Sequence, residues 1–432
     1  MKKTSYFSYS FGCRVNEAEK EEIDRKMALN SFKFDNEKPD IYIINTCSVT
    51  QKAEREARQL IYRVKKDLPE TKIVVTGCSA TYWIKNNLHK TLPIDLMIDN
   101  VNKDFLVELI KKRLSYAPEL HPRGVVKNLK NKFLDSGRAM IKIQDGCQRF
   151  CSFCIVPYLR GIPHSEKIKT LVTKIQNLPT SIKEVILTAI NTEAFGYDSG
   201  EKFTNLLRNV IDNTKVPRIS FGSIHPWSIS EEFFDFYKEY QPKNRLVNFF
   251  HVPLQSGSDK ILSLMKRGYK SSEINEKLRL IKVLNKSALI ATDVIVGFLD
   301  ETDRDFEGTY NFLRDSPISK FHVFRFSKRT KTAADYIAKR LKEPTSEEKN
   351  KRSKALIELS QKKQSAFMES NLGRKSSVLF LEKTFEEYRE GLLDNQLPIY
   401  IPNTPYGCIE AGKLKNVKII EYKNGRLFGK IV

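Results

Sequence analysis

Six of the seven cysteines fall into two sets of three. Cys147, Cys151 and Cys154 share the segment QDGCQRFCSFCIVPYLRG in a Cys-x3-Cys-x2-Cys spacing. Zinc sites ordinarily take four ligands from paired knuckles, and no fourth cysteine or Cys–His pair stands beside this loop. Three thiolates on one tight loop can instead hold a cubane iron–sulfur cluster and leave one iron open to a small ligand. A half-built zinc site, or thiols that are merely buried, are the alternatives. Cys13, Cys47 and Cys78 are 34 and 31 residues apart, too far for one loop. Cys408, in Pro-Tyr-Gly-Cys, reads as a plain thiol. In an apparently intracellular chain these cysteines are read as ligands or reactive groups before disulfides.

The elements around the first set explain its spacing. SYFSYSFGC, DIYIINTC and KIVVTGC each read as a short strand ending in a cysteine, and helical stretches at 16–30 and 51–68 follow the first two. The intervals match one βαβ unit. Successive crossovers in one parallel sheet would bring all three thiols to its carboxyl edge, where open α/β sheets bind ligands. Residues 1–115 are thus expected to form a flavodoxin- or Rossmann-like α/β domain, and 116–137, with Pro118, Pro122 and Gly124, a linker. From 138 to 368 six βα steps predict a partial (β/α)6 barrel. Polar residues gather after its strands: Cys147–Cys154, Asn191, Ser223 with His225, Gln255 with Ser256, Gly297, and Ser327. The last part, 369–432, changes to strand patterning with Asn424-Gly425 as a hairpin turn, which predicts a small β-barrel.

With 432 residues, 40% hydrophobic and 29% charged, the chain can bury more than one core. No run of about 18 apolar residues marks a membrane span, and MKKTSYFSYS does not read as a secretory signal. Lys and Arg number 74 against 52 acidic residues, a net charge of +22. That points to a polyanion, with nucleic acid ahead of an acidic membrane, unless the excess is compositional drift toward lysine. Two stretches are strongly basic. Residues 111–142 carry nine Lys and Arg against two acidic residues, and 349–363 forms the other. Each is a solvated face or a phosphate contact.

Cys-x3-Cys-x2-Cys with Phe153 before its last cysteine resembles the radical S-adenosylmethionine (SAM) enzymes. In that superfamily SAM, chelated through its amino and carboxyl groups, is cleaved to a 5′-deoxyadenosyl radical. Together with Cys13, Cys47 and Cys78 the whole chain resembles a methylthiotransferase of that superfamily, its last part resembling a TRAM domain. The matching text is GCRVNEAE, DIYIINTCSVTQKAEREAR, VVTGC, KIQDGCQRFCSFCIVPYLRG, HVPLQSGSDKIL and TDVIVGF. The resemblance implies two 4Fe–4S clusters. One on Cys147, Cys151 and Cys154 would cleave SAM, and an auxiliary one on Cys13, Cys47 and Cys78 would carry sulfur. Phe153, Asn191, Gln255 and Gly297 are the implied SAM contacts. Asn45–Thr50 with Lys52, Ala53 and Arg58 resembles the branch acting on N6-threonylcarbamoyladenosine at tRNA position 37, in the anticodon loop. Rival readings are N6-isopentenyladenosine in tRNA, an aspartate of a ribosomal protein, or a non-enzymatic, metal-stabilised RNA-binding protein. The resemblance also implies a cytoplasmic enzyme needing an electron donor and a sulfur donor.

Ala189, His225, Leu299 and Asp300 depart from the family's usual text, as does IPHSEK after Gly161. Other readings stay open between function and packing. Asn16 and Glu19 are either helix-start residues or cluster-side packing. Arg160 faces substrate or pairs with a carboxylate. His225 and His251 line the pocket or are satisfied within the barrel.

Overall fold

The computed structural model describes residues 4–116, 136–403 and 409–432. Nearly all of the expected linker, Arg123, Lys127, Lys130, Lys132 and Cys408 lie outside the described residues.

The first compact unit comprises Met1–Asn131, Asp145–Arg149 and Cys154–Pro163. Its strands are β1 (Ser5–Ser10), β2 (Lys33–Phe34), β3 (Ile41–Thr46), β4 (Lys72–Gly77) and β5 (Leu96–Met97). They form one parallel sheet in the order β2-β1-β3-β4-β5. The continuous apolar text of IYIINT and KIVVTG follows from burial on both faces. Ile41, Ile43 and Val74 pack with Ile23 and Met27 of the helix Arg14–Leu29 and with Ile110 of Leu106–Arg113. Ile44, Ile73 and Val75 pack oppositely on Ile61 of the helix Gln51–Asp67 and Trp83 of Cys78–Lys85. Each such aliphatic side chain, fully buried, stabilises the sheet by about 1.5–3 kcal/mol.

The second unit comprises Lys132–Gln144, Phe150–Phe153 and His164–Val432. The units therefore divide the chain differently from an expected boundary at 138. Six parallel strands follow one another, β6 (Arg138–Asp145), β8 (Glu184–Ala189), β9 (Arg218–Phe221), β10 (Phe249–His251), β11 (Leu289–Val296) and β12 (Lys320–Arg325), with the short β7 (His164–Ser165) outside β6. A seam between β9 and β10 is closed by an Ile219–Leu246 bridge and by Ile224 N–H donating to the His251 carbonyl at 2.9 Å. This is the expected open six-stranded barrel.

The last five strands, β13 (Lys375–Phe385), β14 (Tyr388–Leu392), β15 (Pro398–Pro402), β16 (Leu414–Lys423) and β17 (Arg426–Ile431), close into a barrel in the order β13-β14-β15-β17-β16. Asn424 (φ 50°) and Gly425 (φ 75°) make the expected two-residue turn. This barrel and the larger one share a core in which Phe249, Leu289 and Ala291 meet Val378, Phe380 and Val417. Polar ties reinforce it. Buried Glu184 accepts from Gln396 Nε2 at 2.9 Å, and Arg218 donates to the carbonyls of Leu392 and Leu393 at 2.9 and 2.8 Å.

The basic helix, Ser346–Glu369, is only partly a charged face. Arg352 is buried against Glu301 and Asp303, Lys349 pairs with Glu343, and Lys363 donates to three carbonyls ending the helix Asp303–Asp315. Lys351, Lys354 and Lys362 remain exposed.

The helix Asp303–Asp315 starts with a reciprocal cap between Thr302 and Asp305. Burial would raise the Asp305 carboxyl, but hydrogen bonds from Thr302 and Ser258 outweigh it and hold the group down to about 2. Its stabilising contribution is present above the unfolded value near 3.8 and is lost as pH falls through the folded value. Asp305→Asn should cost about 1 kcal/mol at neutral pH. In denaturant unfolding at stepped pH, that difference should shrink in acid, and a pH-independent difference would refute the cap's role.

Candidate active site

At the carboxyl edge of the first sheet, Cys13, Cys47 and Cys78 follow the neighbouring strands β1, β3 and β4, as expected. Cys47 and Cys78 are buried, while Cys13 keeps an exposed side. Burial raises the Cys13 thiol and pushes Cys47 up to about 12, with the charge of Cys78 adding to both. Bare thiolates are thus disfavoured at Cys13 and Cys47, and a bound cation would favour their ionisation. A β-carbon on Gly12 (φ +94°) would come within 2.6 Å of Cys47 Sγ, so only glycine lets the chain pass this close.

Arg160 is the fixed charge beside these thiols. Fully buried, it donates to Glu19 and Asp145 at 2.8 and 2.9 Å and to Asn16 Oδ1 at 2.7 Å. Desolvation would lower its pKa, but Cys78, Glu19 and Asp145 outweigh this and keep it charged. Lys103 Nζ adds a second cation 2.6 Å from Glu19. Asn16 and Glu19 thus spend their side chains on Arg160 and Lys103 and do not cap the helix. Asn16 also donates to the Phe11 and Thr46 carbonyls, while Cys13 occupies the helix N-cap.

Among the described residues, the one His, Cys, Asp or Glu set whose ligand atoms all lie within 4.8 Å of one another is His251, Asp293 and His322. Three thiols at one sheet edge beside the buried Arg160 cation are a donor set that suits an iron–sulfur cluster.

The other triad lies in the loop after β6. Cys151 is buried, and its sulfur accepts from Arg267 Nη1 at 3.2 Å. The Arg267 guanidinium also donates to the Pro253 carbonyl at 2.8 Å and to Tyr269 Oη at 2.9 Å, and lies 4.5 Å from the Trp227 ring centre. Phe153 sits edge-on to Phe298, with ring centres 6.5 Å apart.

Asn191, Gln255 and Gly297 end three strands of one barrel, as expected. Asn191 is buried and caps the turn Thr192–Ala194. Gln255 holds φ at +82°, a strained value for a residue with a β-carbon, of the kind that clusters at functional sites. Gly297 (φ +72°) donates to Glu301 at 2.6 Å, and its missing β-carbon leaves room for the Lys349 chain. The departures are accommodated locally. Leu299 fills an apolar cluster with Phe298 and Phe326. Asp300 takes the left-handed turn (φ 59°) usually given to glycine and pairs with Lys260 at 2.9 Å. Ala189 is buried at the end of β8. His225 stacks on Trp227, its Nδ1 3.4 Å from Thr192 Oγ1.

His251, Asp293 and His322 stand on β10, β11 and β12. Burial would raise the Asp293 carboxyl, but hydrogen bonds from both imidazoles hold it well below the usual range. Arg267, Lys103, Asp293 and His322 were not singled out by the sequence, since each is isolated in the chain and acquires a role only through pairing.

Residues 5–99 match the family described as "Uncharacterized protein family UPF0004", and residues 141–313 match the radical SAM superfamily. Over 420 residues the chain is 33% identical to threonylcarbamoyladenosine tRNA methylthiotransferase MtaB of Aquifex aeolicus, covering 95% of this chain and 98% of that one. The chain belongs to the radical SAM methylthiotransferases. Another relative, tRNA-2-methylthio-N(6)-dimethylallyladenosine synthase of Thermodesulfovibrio yellowstonii, is 31% identical over the full length of both chains. The radical SAM methyltransferase TsrM of Kitasatospora setae shares the fold, with a TM-score of 0.53, 14% identity and 75% of each chain covered. As a radical SAM methylthiotransferase the protein is an enzyme using a 4Fe–4S cluster and SAM, which sets aside the non-enzymatic reading. Among the described residues no helix is long and apolar enough to cross a membrane.

Proposed function

We propose that this methylthiotransferase converts N6-threonylcarbamoyladenosine at tRNA position 37 to its 2-methylthio derivative. Cys147, Cys151 and Cys154 would hold the SAM-cleaving cluster, and Cys13, Cys47 and Cys78 a second, sulfur-carrying one. When bound, these groups and SAM supply the radical and the methylated sulfur that a carbon-bound ring hydrogen demands. The protein's share is placement. Arg267 orients Cys151, Arg160 balances the thiolates of the first unit, and Phe153, Asn191, Gln255 and Gly297 would contact SAM. An electron donor and a sulfur source must come from outside, and a cytoplasmic location suits the tRNA substrate.

The observation that carries the choice of nucleoside is the polar inner face of the barrel. Ser223 and Asp293 are both hydrogen-bonded to His251 there, and His322 meets the same Asp293 carboxylate at 3.4 Å. A threonylcarbamoyl group brings a carboxylate, a hydroxyl and amides to such a surface. An isopentenyl group is hydrocarbon and would desolvate these groups without pairing them. Nucleosides of tRNA from a deletion strain, read by mass spectrometry, should lose the methylthio form of threonylcarbamoyladenosine. Its persistence would reject this reading, and loss of the isopentenyl derivative instead would favour the other nucleoside.

The +22 charge supports tRNA delivery through phosphate contacts, with the small barrel as the RNA-binding module. Affinity should then fall steeply with salt, each contact adding about −0.7 to −0.9 to the log–log slope. A flat salt response in filter binding would remove the basic surface from that role.

A further inference from the structure

His251, Asp293 and His322 lie on three adjacent parallel strands. Asp293 is in register with His322, and His251 with Ala291, two residues earlier on β11. Residues 290, 294 and 296 of β11 pack into the core beneath the helices, so strand alternation puts Asp293 on the opposite, inner face. The three side chains are respectively 12%, 23% and 45% exposed, so solutes can reach them.

Their donor atoms already stand at coordination spacing. His251 Nε2 is 3.0 Å and His322 Nδ1 is 3.4 Å from the same Asp293 Oδ1. A first-row divalent ion with bonds of about 2.1 Å places neighbouring ligand atoms roughly 3.0 Å apart in octahedral and 3.4 Å apart in tetrahedral geometry. Ser223 Oγ lies 2.8 Å from His251 Nδ1. By accepting a hydrogen bond from Nδ1–H, that hydroxyl would leave the Nε2 lone pair to a metal and fix the ring's orientation.

We propose that His251, Asp293 and His322 bind one divalent transition-metal ion, distinct from the iron–sulfur clusters. Two imidazoles and one carboxylate suit zinc or ferrous iron and do not suit magnesium or calcium, which take oxygen sets. Three protein ligands leave positions open toward the barrel interior. A dipositive ion with one carboxylate ligand keeps a net charge there and would take water or an anionic oxygen. These are the residues assigned above to nucleoside selection, and a titration without tRNA tests the metal separately from that reading.

The test uses anaerobically reconstituted holoenzyme, desalted and titrated with cobalt(II), without tRNA. One equivalent should bind beyond the cluster iron, with visible d–d absorption and no added thiolate charge-transfer band. His322→Gln changes a half-exposed residue and should abolish that absorption while leaving the iron–sulfur spectrum intact. Ser223→Ala should weaken binding about 10-fold or more. A parent protein that binds no cobalt beyond its clusters would overturn the proposal. Cobalt binding that survives His322→Gln unchanged, or that carries thiolate bands, would do so as well.

Discussion

Replacing Arg160 by methionine is expected to cost about 3–5 kcal/mol of unfolding free energy, because it removes the buried cation that Glu19 and Asp145 share. Arg160 is 1% exposed at its side chain, and Glu19 and Asp145 are 4% and 10% exposed. Lys103 would still neutralise Glu19, whereas Asp145, which also accepts from the Gly146 N–H at 2.8 Å, would lose the guanidinium that meets both of its oxygens. Arg160→Lys retains charge without the planar fork that reaches Glu19, Asp145 and Asn16 together, so its cost should be intermediate. Anaerobic denaturant unfolding measures both variants. Adding Asp145→Asn to Arg160→Met should recover part of the loss, since the charge that Arg160 balanced there is then gone. A loss below about 1 kcal/mol for Arg160→Met would mean that water reaches this network, contrary to its burial.

Substituting one cysteine from each triad should separate two activities. Cys151→Ser is expected to abolish SAM cleavage outright, a fall of more than about a thousandfold, since it would remove a proposed ligand of the group that supplies the radical. Cys47→Ser should leave SAM cleavage measurable while methylthio transfer to tRNA disappears. Reconstituted iron should drop from about eight to about four atoms per chain in either variant. Iron near four in the parent, or transfer that survives Cys47→Ser, would refute the two-cluster assignment. Arg267→Met should spare the iron content yet alter the cluster's reduction potential, because one hydrogen bond to a ligating sulfur is lost.

What could be read from the sequence was periodic or repeated. The three strand–cysteine endings of the first sheet announced both their fold and their meeting point, because a parallel sheet buried on both faces leaves continuous apolar text. Asn424-Gly425 announced its hairpin because few residue pairs take two positive φ values cheaply. The charged pairings were not legible. Arg160 and Glu19 are 141 residues apart, and no local rule relates them. Arg267, Asp293 and His322 are likewise ordinary until the barrel brings partners to them. The basic helix misled in part. A lysine count does not distinguish Lys351, which is exposed, from Lys363, which closes a helix end.

The core shared by the two barrels bears on the order of events during synthesis. The first unit has its last residue at Pro163, so its thiols and Arg160 can assemble early on a growing chain. The floor of the larger barrel cannot. Glu184 waits for Gln396, 212 residues downstream, and Phe249 waits for Val417. Until those residues emerge, an apolar surface stays open at the bottom of the barrel, exposed to chaperones and to misassembly. The small barrel thus acts as a lock on the larger one: a chain that stops before it has its cysteines but no closed vessel in which to use them.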